Sequence, residues 1–330
     1  MAGLFDEERE EEAINRIRKF AKIADKMGLE VTVGFSGGKD SQVVYDLCER
    51  ARINFTAYFN HCFESNTTIN FIKEKYPKVI KRRIIKDGFI ANIKKNHSGM
   101  LPTVTSAYCC EDYKHNPKYN DACKILGIRK FESRKRANRT ALMVKNKTTA
   151  KKIKPTIDEY FKEQCQSTGS NNLLTLNPII DWTDKDVWEY IHKYKLPINP
   201  EYKESKRIGC IVCPKANFTS NYRALLNYPK LIDCFIKARD HITQSWVITG
   251  DNKDYSDDKV YYICRWLNHS FIPFTLKQEQ LYNEVKQKYY ENKTNCHRHF
   301  NRDDNRVCDN RNERTQHNRR VQNRDRYNND

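Results

Sequence analysis

Six consecutive residues, Ser36-Gly37-Gly38-Lys39-Asp40-Ser41, carry the groups of an anion site. Two glycines let the main chain turn sharply and approach a ligand closely. Amides at the start of a following helix would point at phosphate oxygens, helped by the helix dipole. Ser36 and Ser41 supply hydroxyls, Lys39 a cation to neutralise a departing pyrophosphate, and Asp40 a carboxylate to hold Mg²⁺ directly or through water. The pattern differs from Walker A, which places four residues between its glycines.

The twelve cysteines offer a second chemistry. Cys109 and Cys110 are adjacent, and Cys210-Ile211-Val212-Cys213 is a chelating pair about one hundred residues later. Together they make a four-thiolate site for zinc or for iron and sulfur. Adjacent cysteines suit a compact zinc knuckle poorly, whereas a [4Fe–4S] cube offers four separated corners, so iron–sulfur is favoured. Cys48, Cys123, Cys234 and Cys264 each stand alone among apolar residues and read as core. A third set is cationic. Arg129 and Arg136 can grip phosphate or sulfate oxygens in forked pairs, with Glu132 to orient one of them. Lys114, close to the first cysteine pair, can donate to a cluster sulfur or a sulfonyl oxygen.

These segments resemble known ones. The hexapeptide is similar to the PP-loop of the adenine nucleotide α-hydrolase superfamily. That resemblance implies cleavage between the α and β phosphates of ATP, leaving AMP on an acceptor. Four further segments are similar to the phosphoadenosine phosphosulfate (PAPS) reductase family: Cys109-Cys110-x-x-x-Lys114-x-x-Pro117; Gly127-Ile128-Arg129-x-x-Glu132-Ser133-x-x-Arg136; Pro178-Ile179-Ile180-Asp181-Trp182-Thr183-x-x-Asp186-Val187-Trp188; and Arg207-Ile208-Gly209-Cys210-x-x-Cys213-Pro214. The resemblance covers roughly residues 28–240. It implies a [4Fe–4S] cluster beside the nucleotide, ligated by Cys109, Cys110, Cys210 and Cys213.

Two departures refine the expectation. Sulfonucleotide reductases carry a Glu-Cys-Gly motif with a nucleophilic cysteine near the C-terminus, and this sequence has none; its late cysteines, Cys296 and Cys308, lie in a polar stretch. Their phosphate loop also tends to be degenerate, and here it is intact. Both point to an ATP-cleaving member resembling the DndC-like branch of DNA phosphorothioation and phage proteins. The expected reaction is adenylation of an acceptor oxygen or activation of a sulfur acceptor, with the cluster structural or passing sulfur. The alternatives are a thiol-dependent PAPS or APS reductase yielding sulfite, and a non-catalytic nucleotide-binding subunit of a modification or defence complex. ATP or PAPS is the expected nucleotide, and a nucleic acid or a sulfur-donor protein is a candidate partner.

The elements needed to position these groups are legible in the hydrophobic pattern. Residues 7–27 repeat apolar side chains at helical spacing and stop at Gly28. Val31–Phe35 reads as a buried strand before the phosphate loop, and 40–50 as the helix after it. A strand at 55–59, a helix at 67–76 ended by Pro77, and a strand over 79–85 continue the alternation. Further strands are expected at 125–131 and 177–182. Thr183 should cap a helix with Asp184 and Asp186 in its first turn. Trp182 and Trp188 read as core. Residues 141–170, lysine-rich and polar, read as a mobile insertion over the site. Helices are expected at 221–245 and 277–290. The order implies an α/β fold with a doubly wound parallel sheet, helical additions and a disordered C-terminal tail. The expected layout is an N-terminal helix (1–27), the PP-loop domain with its cysteines (28–245), a helical extension (246–290) and the tail (291–330).

The chain has 330 residues, 38% hydrophobic and 31% charged, with a net charge of +18. The charge fits a nucleotide or nucleic-acid partner and equally a lysine-rich surface. The tail holds ten Lys and Arg against seven Asp and Glu with few apolar side chains, too little to offset ordering entropy. No run of 18 apolar residues occurs, which argues against a membrane helix. The acidic start, Phe5-Asp6-Glu7-Glu8, is unlike a secretory leader. With that, the cysteines point to a reducing, cytoplasmic setting.

Overall fold

A computed structural model describes residues 7–145 except Ile84, Pro117, Asn120 and Lys135, then 148, 154, 155, 157, 161 and 165–167, and then 173–239, 258–268 and 274–299. Seven strands form one sheet: β1 (Val31–Gly34), β2 (Thr56–Asn60), β3 (Ile80–Arg82), β4 (Cys123–Ile125), β5 (Leu142–Val144), β6 (Cys165–Ser167) and β7 (Leu174–Leu176). Their order is β3-β2-β1-β4-β7-β5-β6. All neighbours are parallel except β5 and β7, which run antiparallel. The fold is α/β and doubly wound, as the sequence predicts. The chain moves outward from β1 to β3, then crosses back to β4, so the order reverses between β1 and β4. In such sheets ligands bind beyond the carboxyl ends of the strands at this switch point.

Nine helices are described: α1 (Glu7–Lys26), α2 (Lys39–Ala51), α3 (Asn66–Lys75), α4 (Phe89–Asn96), α5 (Asp184–Lys193), α6 (Phe218–Asn227), α7 (Lys230–Arg239), α8 (Lys259–Asn268) and α9 (Leu276–His299). The stripe Ala13, Ile14, Ile17, Phe20, Ile23 and Ala24 of α1 is buried against the sheet core with α2 and α5. Glu10 ties the three together through Arg50, Lys193 and Tyr194. Gly28 ends α1 at φ +63°, a left-handed turn that costs glycine little. Thr183 and Asp186 form the expected reciprocal cap of α5, with Thr183 N donating to Asp186 at 2.7 Å and Asp186 N to Thr183 Oγ1 at 3.2 Å.

A second core lies beside the first. It joins α4, α6, α7, α8 and α9 through Ile93, Tyr222, Leu225, Phe235, Ile263 and Val285. Cys62, Cys109 and Tyr113 belong to it.

Several sequence expectations shift. The strand placed at 125–131 is Cys123–Ile125, and the residues after it turn toward the site. The strand placed at 177–182 is Leu174–Leu176, followed by turns. The strand placed at 79–85 is confined to Ile80–Arg82. The polar stretch 141–170 is not simply an insertion over the site: Leu142–Val144 and Cys165–Ser167 are sheet strands, and Ile157 and Phe161 are buried. Its lysines masked this, because only short apolar runs enter the core. The single helix expected at 221–245 is two, parted at Tyr228-Pro229, where proline lacks the amide to continue the ladder. The last helix runs to His299, past the composition change at 291. The tail beyond it lies outside the described residues. Cys48, Cys123 and Cys264 are fully buried as expected, whereas Cys234 is only half-buried.

Candidate functional site

Two sets of groups meet at the carboxyl ends of the central strands. The first is the loop between β1 and α2. Gly37 takes φ +75°, and a Cβ there would lie 3.0 Å from Ile72 Cδ1 and 3.2 Å from Thr68 Cγ2. The loop is stitched internally: Ser36 N donates to Ser41 Oγ at 3.1 Å, Gly38 N to Ser36 Oγ at 3.3 Å, and Ser41 Oγ to Gly38 O at 2.8 Å. Asn199, fully buried, and Gln42 both donate to Gly37 O, at 3.1 and 3.0 Å. The Lys39 amide donates to the Tyr202 hydroxyl at 2.8 Å, the kind of oxygen acceptor a phosphate would supply.

Strand β4 delivers the cation. Gly127 passes so close to the loop that a Cβ would lie 2.7 Å from the Asp40 carbonyl oxygen. Two residues on, Arg129, 3% exposed, donates from Nε to Asp40 Oδ1 at 2.5 Å and from Nη2 to Asp184 Oδ1 at 3.0 Å. Lys39 Nζ lies 3.3 Å from Asp40 Oδ2 and 3.0 Å from Asp184 Oδ1. Two cations and two carboxylates therefore interlock. Burial pushes the Asp184 carboxyl up, but the hydrogen bond and charge of Lys39 and the charge of Arg129 leave its pKa below the usual value. Glu132 accepts from the Arg129 amide and pairs with Arg136, so it orients Arg136 and not the Arg129 guanidinium. Burial lowers the Arg136 pKa, helped by the charges of Arg139 and Arg207. A cationic field of Arg129, Arg136, Arg139 and Arg207 thus adjoins the phosphate loop.

The second set is the thiols. Cys109 starts a π-helical turn over Cys110–Lys114. Cys213 is held by Asn221 of α6, which accepts from its amide and donates to its carbonyl, each at 3.0 Å. Cys109 feels the charges of Cys110, Cys210 and Cys213, so the two expected pairs lie within electrostatic range of each other. The hydrogen bond from Cys109, aided by Lys215 and Lys114 against burial, lowers the Cys110 pKa to about 6. Lys114 lies 2.9 Å from Glu64, not on a cysteine sulfur. Burial opposes its charge, yet Cys210 and Glu64 raise its pKa well above the ordinary lysine value. Among the described residues no three His, Cys, Asp or Glu side chains are arranged around a common point as metal ligands. The donor chemistry nonetheless suits a cluster, because softly donating sulfurs gather beside an ammonium that can offset thiolate charge.

Residues to which the sequence reading gives no part in the site also belong here: Cys62 and Glu64 on the loop after β2, Asn199, Tyr202 and Arg139, together with Asp184, expected only as a first-turn charge, and Arg207, expected only as part of a family motif. The usable signal for the first two was their place just past a strand end on the ligand-binding edge of a parallel sheet. Trp182, 2% exposed, is core, and its carbonyl accepts from Arg129. Trp188 packs edge-on to Tyr202.

Comparison with known proteins gives a consistent result. Residues 30–216 match the phosphoadenosine phosphosulfate reductase domain. An adenosine 5'-phosphosulfate reductase of Lysinibacillus sphaericus is 28% identical over 207 residues, which is 58% of this chain and 76% of that one. An uncharacterised protein of Methanocaldococcus jannaschii is 25% identical over 293 residues, 86% of this chain, and the chain spans 62% of that relative's length. A PAPS reductase from Candida auris aligns at a TM-score of 0.41 with 14% identity, covering 59% of this chain and 87% of that one. Among the described residues no helix is long and apolar enough to cross a membrane.

Proposed function

Because the chain belongs to the phosphoadenosine phosphosulfate reductase domain family, we propose that it binds the phosphates of ATP at residues 36–41 and cleaves them between α and β. The cleavage would be coupled to adenylation of an acceptor or to sulfur transfer in the modification of a nucleic acid or nucleotide. The observation that carries this reading is the intact loop, in which Lys39 at the start of α2 and the buried Arg129 from the turn after β4 both pair with Asp40. In the reaction an acceptor oxygen attacks the α phosphorus, the bond to the β phosphate breaks, and pyrophosphate leaves. Lys39 and the amides at the start of α2 would stabilise the leaving charge, and Arg129 and Arg136 the oxygens around the α phosphorus. Asp40 holds Lys39 and Arg129 in register. Asp40 and Asp184, joined through those two cations, form an oxygen donor set suited to magnesium, which would neutralise phosphate charge. Cys109, Cys110, Cys210 and Cys213 would hold a [4Fe–4S] cluster, which when bound supplies structural closure or a sulfur-handling centre.

A second reading, reduction of APS or PAPS to sulfite with a thiol donor, is favoured by the identity to the Lysinibacillus enzyme. Anaerobically purified protein separates the two. Mg-ATP with total nucleic acid and sulfide should yield pyrophosphate, and Lys39→Ala should lower that rate by about 10²–10³-fold while the protein stays folded. Sulfite from APS or PAPS with thioredoxin, without pyrophosphate from ATP, would overturn the proposal.

A further inference from the structure

The loop leaving β2, His61-Cys62-Phe63-Glu64-Ser65, lies outside the motifs that define the site, yet it brings a fifth cysteine to the thiols. Cys62 is 2% exposed. A buried cysteine ordinarily packs as a small apolar group. The Cys62 thiol instead donates to the Cys109 carbonyl at 3.9 Å, and the loop that carries it pairs with the backbone at Cys210. It therefore adjoins both segments that carry the expected ligands.

The backbone holds it there. Glu64 pairs with Cys210 in an antiparallel bridge, and Ile211 N donates to Phe63 O at 2.8 Å. The Cys62 amide donates to Glu64 Oε2 at 2.8 Å, while Glu64 Oε1 meets Lys114 at 2.9 Å and lies 3.8 Å from Cys210 Sγ. Cys210 thus has a thiol neighbour from a third segment, fixed by main-chain pairing rather than by chance packing.

We propose that Cys62 is an alternative ligand for the cluster corner otherwise assigned to Cys210. This rests on the cluster reading above. The exchange would be redox-neutral: the Cys62 sulfur would take the corner that the Cys210 sulfur gives up, and the Cys62 thiol proton would pass to the released Cys210 thiolate, leaving the number of thiolate ligands unchanged.

The test uses the full chain, reconstituted anaerobically with ferrous iron and sulfide. Its readouts are iron and acid-labile sulfide per chain, and the electron paramagnetic resonance spectrum after reduction. Wild type, Cys62→Ser and Cys210→Ser should each hold one [4Fe–4S] cluster, with the Cys210→Ser spectrum shifted. Cys213→Ser and the double variant Cys62→Ser/Cys210→Ser should lose it. A Cys210→Ser chain as empty as the double variant would overturn the proposal, as would loss of the cluster from Cys62→Ser alone. If near-ultraviolet circular dichroism shows Cys210→Ser unfolded, Cys62→Ser decides. Iron release to a chelator should then be at least about tenfold faster than in wild type, and an unchanged rate would overturn the proposal. A wild-type chain that takes up no iron would instead sink the cluster reading, which the variants alone cannot do.

Discussion

Lys39 and Arg129 would meet a nucleotide already engaged. Each is paired with both Asp40 and Asp184, so an incoming phosphate must compete with carboxylates for its cations. Asp184 is the weaker competitor, because its side chain is 66% exposed and water screens it. Asp184→Asn is therefore expected to tighten ATP binding in EDTA by up to about fivefold, the equivalent of ~1 kcal/mol from a partly screened pair. Titration calorimetry checks this, and weaker binding without magnesium would contradict it. The loop residues and the two cysteine pairs were readable from residue type and spacing. Asp184 was readable only as a favourable first-turn charge. Its second role depends on Arg129 arriving from a strand 55 residues away in sequence, which spacing cannot express.

Strand β4 matters through what it brings into contact. Its exit at Gly127 abuts the main chain of Asp40, so Gly127→Ala forces backbone against backbone. A loss of about 1–3 kcal/mol in denaturant unfolding is expected, as for other overpacked sites, together with weakened nucleotide binding. At the other end of β4, Asp121 joins the edge strand to the centre. It accepts from Arg82 of β3 twice at 2.9 Å and from Lys124 of β4 at 2.7 Å. Arg82 in turn lies over the Tyr58 and Tyr119 rings. Burial raises the Asp121 pKa, but Arg82 and Lys124 outweigh it and leave the value below that of the unfolded chain. The depressed value means the stabilisation is full above the unfolded carboxylate pKa and is lost as pH falls through the folded one. Asp121→Asn should cost about 3 kcal/mol at pH 7, as expected for breaking a buried pair. The deficit should shrink as both proteins are acidified below the usual carboxylate range, measured by urea unfolding at each pH. Element types were legible wherever the apolar period was long, as in α1 and α2. They slipped where three-residue strands such as β4 and β7 carry the sheet, because so few residues hold no period. The strands of the polar 141–170 stretch were hidden for the same reason.

At the scale of the whole molecule, the phosphate loop runs between Phe35 and Val43 of the sheet core, while Cys62 and Cys109 belong to the helical core and Cys110 and Cys210 pack against it. A bound cluster would therefore brace the helical core. Removing it with a chelator under reducing conditions should lower the melting temperature. Amide exchange should quicken more in α6 and α7 than in β1 and α2, and equal acceleration in both would contradict this placement. The +18 charge was legible in the sequence, but the grouping of Arg129, Arg139 and Arg207 around Arg136 required the fold. The brace that Asn221 places on Cys213 has a consequence in time. Cys109 and Cys110 leave the ribosome about one hundred residues before that brace exists, which at ordinary synthesis rates is roughly 5–20 s. During that interval the early thiols have neither their partners nor the helix that fixes Cys213, so under the proposed cluster reading iron would be delivered after α6 has emerged, with the nascent chain kept reduced until then.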